Sequence, residues 1–108
     1  MSQTLSRVQA LVDRGQVRIS AHGYDELAAD DIFIGDVIAG VAMAIVVEDY
    51  PHFVRGPCVL VLQKDDNGRP IHVVWGIPEN GTGPAVVVTA YRPDPARWSS
   101  DFLKRKTP

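Results

Sequence analysis

The sequence predicts an α+β domain: two to three N-terminal helices packed on one face of a four-stranded, mainly antiparallel sheet. Three observations predict it. Apolar residues recur at helical spacing as far as Ala42, then change to runs of strand character. Two Asn-Gly pairs, Asn67-Gly68 and Asn80-Gly81, separate those runs as hairpin turns do. Helices first and antiparallel strands after them put the helices together on one sheet face. The 108 residues suffice for a single domain, 1–108, with one modest core.

Leu5, Val8, Leu11 and Val12 fall at helical spacing, so Thr4 to Arg14 reads as a short amphipathic helix that Gly15 ends. Val17 to Ile19 reads as a short extended stretch. Ser20 resembles an N-cap, with Asp25 and Glu26 early in the helix that follows, where the dipole favours acids. That helix should end near Asp30-Asp31. Gly35 to Ala42 reads as a third helix, with Val37, Ile38 and Val41 on one side. Ala44 to Tyr50 reads as a strand stopped by Pro51. Cys58 to Lys64, Ile71 to Ile77 and Ala85 to Tyr91 complete the sheet. Pro93-Asp94-Pro95 breaks it. Arg97-Trp98 to Leu103 reads as a last turn or helix, and 104–108 as a flexible tail.

Side chains alternate faces along a strand, so turn lengths assign every residue to a side. Two-residue turns at Asn67-Gly68 and Asn80-Gly81 set Gln63 opposite His72, and His72 opposite Thr89. Leu60, Leu62, Ile71, Val73, Trp75, Val86 and Val88 then form the face that meets the helices. Gln63, His72, Thr89 and Tyr91, with Val61, Val74 and Val87, form the other.

The formal charge is −2, so the basic excess of a protein that clamps long nucleic acid is missing, and such a role needs a local basic patch. Cys58 is the only cysteine, which excludes an intramolecular disulfide; its apolar neighbours suggest a buried thiol. No basic-then-apolar leader pattern opens the chain, and its apolar runs are too short to span a bilayer. The reading is therefore a cytoplasmic protein with no membrane contact.

His22 falls in the first turn after Ser20, where the helix dipole favours a neutral ring able to accept a proton. Glu26, four residues on, is placed to hold that ring. Both residues are equally compatible with a purely structural role at the helix start. His72 beside Thr89 can likewise be read as an ordinary cross-strand pair. His22, Asp25 and Glu26 do not follow a zinc pattern, and Asp65 to Gly68 lacks the frame and closing glutamate of a calcium loop, so no metal and no cofactor is expected.

Ile19-Ser20-Ala21-His22, Glu26-Leu27 and Asp36-Val37 resemble the opening of a bacterial family catalogued as a domain of unknown function, DUF4258. Glu48 to Pro51, Gly68 to Val74, and Thr89 to Asp94 followed by Trp98 are similar to its later motifs. The resemblance spans about residues 17–98. It implies a small toxin of a toxin–antitoxin system, with a compact fold like that of the RelE- and MqsR-type ribonuclease toxins. It also implies a zinc-finger antitoxin as partner and RNA as substrate. His22, Glu26, Arg69, His72, Thr89 and Tyr91 match the family's polar positions. One departure is Asp30, where many relatives carry an arginine.

Two functions are compatible with these residues. In a metal-free endoribonuclease the RNA 2′-hydroxyl is the nucleophile; His22 serves as base, His72 or Tyr91 as acid, and Arg18, Arg69 or Arg92 meets the phosphate. In a non-catalytic binding module the same polar face holds a protein or a small ligand, with Trp75, Phe53 and Tyr50 as aromatic anchors.

Overall fold

The computed structural model describes residues 2–107, and the chain runs α1 (Gln3–Asp13), β1 (Val17–Ile19), α2 (Ala21–Ala29), α3 (Ile34–Gly40), β2 (Ile45–Tyr50), β3 (Cys58–Lys64), β4 (Pro70–Gly76) and β5 (Ala85–Tyr91). One 3₁₀ turn, Val41–Met43, joins α3 to β2. Ser2 and Ser20 cap α1 and α2 by accepting the backbone N–H three residues on, from Leu5 and from Gly23. Gly15 follows α1 at φ 73°, the left-handed conformation that ends helices at low cost only for glycine.

The sheet has five strands in the order β1-β5-β4-β3-β2. It is mixed: β1 pairs parallel with β5, and the other pairings are antiparallel. The expected four strands thus gain a fifth, because Val17–Ile19 joins the edge of β5. Three residues are too few to show a period in the sequence.

Both assumed turns differ from expectation. Asp65 closes the β3–β4 hairpin, its backbone N–H donating to the Arg69 carbonyl and its Oδ1 accepting from the N–H groups of Asn67 and Arg69. The loop therefore has three residues, Asp66 to Gly68, with Gly68 at φ 78°. Leu62, not Gln63, opposes His72. The β4–β5 connection covers residues 77–84, since β4 ends at Gly76 and β5 starts at Ala85. His72 opposes Tyr91 and Val74 opposes Thr89, while the register shift after Val74 leaves Val88 as a bulge.

These shifts re-sort the faces. Val59, Val61, Gln63, Ile71, Val73, Trp75, Val87 and Ala90 form the helix-covered face, and all are buried. Leu60, Leu62, Val86 and Val88 join His72, Thr89 and Tyr91 on the opposite side, contrary to the two-residue-turn reading. Gln63 earns its place among apolar groups by full pairing: its Nε2 donates to the Val37 carbonyl at 2.8 Å and its Oε1 accepts from Trp75 Nε1 at 2.8 Å.

α2 lies along β5 where β1 stops. At its start Ser20 N–H donates to the Val87 carbonyl and Ser20 Oγ donates to the Val88 carbonyl at 2.8 Å. At its end Asp30 Oδ2 accepts from Arg92 N–H at 2.8 Å. The helix ends thus satisfy backbone groups of β5 that β1 is too short to reach. On the other flank β2 is a free edge, with Val47 bulged between the Val46 and Glu48 pairings and with Ile45 and Tyr50 exposed.

The C-terminal segment forms turns, the turn alternative of the expected turn or helix, and lies as a strap over the open face. Trp98 and Arg105 face each other in an isolated bridge, with Ser99 N–H donating to the Lys104 carbonyl and Lys106 N–H to the Arg97 carbonyl. Arg105 clamps Glu48 of β2 through two bonds, 2.7 and 3.0 Å, and lies 4.8 Å over the Trp98 ring. Of the expected tail, Pro108 falls outside the described residues.

Gly23 approaches β5 so closely that a Cβ there would sit 2.7 Å from the Val87 carbonyl oxygen. Gly23→Ala should therefore destabilise the fold by about 1–3 kcal/mol, although alanine is the better helix former. Urea denaturation measures this, and an alanine variant as stable as the native chain would contradict the close approach.

Candidate functional site

Two grooves lie on the open face. The first, of about 580 Å³, is floored by apolar side chains of the sheet, Val74, Val86 and Val88, beside Gly76, Cys58 and Thr89. Arg18 from β1, His22 from α2 and Arg55 with Phe53 from the β2–β3 loop line the same groove. The second, of about 620 Å³, lies between the end of β5 and the strap, lined by Tyr91, Arg92, Asp94, Arg97, Arg105 and Lys106 among others. Thr89 lines the first and Tyr91 the second, two residues apart on the same face of β5.

His22 reaches the first groove because Ser20 fixes the start of α2 against the Val88 bulge. Its side chain is 65% exposed, and its Nε2 lies 3.8 Å from Glu26 Oε1. That carboxylate stands beside the ring and is placed to orient it. Arg18 and Arg55 are exposed, neither makes an ion pair among the described residues, and no carboxylate lines this groove. A concave apolar surface rimmed by two free guanidinium groups and an imidazole suits an anion that carries a flat or apolar body.

His72 is placed differently from the sequence expectation. It is wholly buried, with Nε2 2.8 Å from the Phe102 carbonyl and Nδ1 3.2 Å from Tyr91 Oη. A carbonyl only accepts, so Nε2 carries the proton and Nδ1 accepts from the Tyr91 hydroxyl. The Trp98 ring stands edge-on at 4.4 Å. Burial holds the imidazole below its ordinary pKa, against a smaller opposite effect of the Phe102 bond. His72 therefore supports Tyr91 and the strap from within and lines neither groove. Tyr91 itself is pushed up by burial and stays a protonated phenol.

The arginines divide in the same way. Arg92 lines the second groove, yet its Nη1 pairs with Asp65 Oδ2 at 2.9 Å and bonds the Pro70 carbonyl at 3.3 Å, so it braces the β3–β4 hairpin against the end of β5. Arg69 lies exposed beyond that hairpin and lines neither groove. Arg55 was not singled out by the sequence. Its only signal is a cation two residues after an aromatic in a turn-rich loop. Gly56 at φ 108°, packed against the Ile77 carbonyl, folds that loop across the ends of β3 and β4. Cys58 is partly exposed on the groove floor, and burial pushes its thiol up, which keeps it protonated and unreactive. Among the described residues no three His, Cys, Asp or Glu side chains converge as metal ligands, and no helix is long and apolar enough to cross a membrane.

The fold and this groove define a small α+β domain with a histidine–arginine pocket on the uncovered face of its sheet. Residues 19–92 match the family described as Domain of unknown function (DUF4258), and the chain belongs to that family. The match takes in His22, Arg55 and Thr89 and stops before the strap. No curated protein matches the chain, and no solved structure does.

Two titratable groups, His72 and Glu48, give the domain an acid sensitivity in two windows. His72 is held below its ordinary 6.5, so its contribution to stability is complete above that value and is lost as the pH falls toward the depressed pKa. Glu48 is held down to about 2, first by its bonds to Arg105, so its contribution persists above the ordinary 4.5 and fades between there and about 2. The urea midpoint should drop between pH 7 and 5, and His72→Phe, though less stable, should flatten that segment of the curve. An unchanged slope in the variant would remove His72 as its source.

Proposed function

We propose that this chain is an RNA-cleaving domain whose reaction is centred on His22. The observation that carries the reading is the meeting of His22, Arg18, Arg55 and Thr89 in one groove. In the proposed reaction neutral His22 takes the proton of a ribose 2′-hydroxyl. The freed oxygen attacks the adjacent phosphorus, the bond to the 5′-oxygen breaks, and a 2′,3′-cyclic phosphate remains. Arg18 and Arg55 hold the phosphate oxygens as charge builds on them. Tyr91, two residues along β5 from Thr89, returns a proton to the leaving 5′-oxygen once its hydroxyl turns away from His72 Nδ1. Glu26 orients and balances the imidazolium.

Asp30 places a carboxylate, not a phosphate-binding cation, at the end of α2. Its carboxylate instead holds the end of β5, and the charge for phosphate falls to Arg18 and Arg55. The role proposed with this activity is that of a toxin whose partner is an antitoxin. The apolar floor of the groove favours a second reading, a non-catalytic module that binds a small anionic ligand.

A fluorogenic single-stranded RNA tests the first reading. His22→Ala should lower kcat/KM by about 10²–10⁴-fold, the usual contribution of a general base. Arg55→Ala should lower it by at least tenfold, and a 2′-deoxy residue at the scissile position should block cleavage. A folded native chain that leaves RNA intact, or that cleaves equally well without His22, would abandon this reading for the binding module.

A further inference from the structure

The second groove has no part in the chemistry just described, apart from the Tyr91 phenol at its border. Its lining holds four cationic side chains, Arg92, Arg97, Arg105 and Lys106, and a single acid, Asp94. Two of the cations are consumed, Arg92 by Asp65 and Arg105 by Glu48. Two remain available. Arg97 touches Asp94 only at 4.0 Å and both are exposed, a pairing that solvent largely cancels. Lys106 makes no ion pair among the described residues. The backbone bond from Lys106 N–H to the Arg97 carbonyl, 2.9 Å, fixes these two positions beside each other. The strap thus presents a preformed pair of cations, and the clamp on Glu48 holds it in place.

The geometry points to a single-stranded RNA path that leaves the His22 groove along β5 and delivers its next phosphates to Arg97 and Lys106. This inference rests on the RNA reading above and extends it to a second subsite. Thr89 and Tyr91 mark the path, separated by about 7 Å at the rise of a strand. The first groove has an apolar floor and a half-exposed Phe53 that can stack an unpaired base. A duplex hides its bases and cannot enter such a floor, which selects the single strand.

Binding is measured separately from cleavage with a fluorescent 2′-O-methyl oligonucleotide, which lacks the nucleophile. The native chain should bind a 12-mer with an affinity that falls as salt rises. Each phosphate contact to a single strand contributes roughly 0.7 to the salt slope, so the double variant Arg97→Glu with Lys106→Glu should lower the slope by about 1.4. It should also weaken binding by at least tenfold. The charge reversal Arg14→Glu, at the end of α1, serves as control and should change neither value. Far-ultraviolet dichroism establishes that the variants fold, and Arg97→Ala with Lys106→Ala gives a milder pair should the reversal disturb the strap. Unchanged affinity in both pairs would overturn the second subsite. Equal affinity for a duplex would overturn the single-strand path, as would equal affinity for a polyglutamate peptide, which would mark the strap as a surface for acidic proteins. Retained binding without any RNA cleavage would remove the catalytic reading and leave the path standing.

Discussion

The Ser20 hydroxyl is the constraint on which the open face depends. One oxygen accepts from Gly23 N–H and donates to the Val88 carbonyl, so it starts a helix and pins a strand bulge at once. A cap of this kind contributes about 1 kcal/mol to a helix. Its larger effect is positional. The bulge turns the Val88 carbonyl out of the regular ladder, and the serine is the group that meets it. α2 must then run beside β5, glycine must occupy position 23, and His22 must emerge where β5 carries Thr89. Asp30 fixes the far end of the same helix to Arg92, so α2 cannot swing away from the groove it borders.

The strap supplies the second fixed point. Glu48, Arg105, Trp98, His72 and Tyr91 form one chain of contacts from β2 across the open face to β5. Its fully buried member is an imidazole kept neutral by desolvation, with both nitrogens used. A charged group in that position would need a counter-ion inside the sheet. The neutral ring needs only a carbonyl on one side and a phenol on the other. Tyr91 is consequently held in one orientation on the border of the second groove.

Most of the helical layer and the strands beyond it were legible in the sequence. Ser20, Gly15 and the end of α2 at Asp30 are local signals, set by capping chemistry that the chain carries at those positions. The sheet face was misassigned for the opposite reason. Facing depends on loop length modulo two, and the Asp65 side chain, by taking two backbone N–H groups, adds a residue to the hairpin loop. That extra loop residue moves Gln63 off the open face, and the Val88 bulge then shifts the register of β5 again, which returns Thr89 and Tyr91 to it. Of the site, His22 and Arg18 were readable because they flank a recognisable cap. Arg55 was not, because its place depends on a loop folding over strands distant in sequence. His72 was recognised as special, but its burial by Trp98 and Phe102 arises only once the strap has closed.

The bulge at Val47 also governs how molecules of this protein meet each other. Templated growth of a sheet requires an uninterrupted row of outward amide and carbonyl groups at constant spacing. Val47 breaks that row midway along β2, and the carboxylates of Glu48 and Asp49 follow immediately. At the opposite boundary β1 offers only three residues before α2 covers the rest of β5. Neither border can recruit another strand over a useful length, so the five strands form a finished unit. Both borders thus carry the interruptions by which edge strands resist pairing with a further strand.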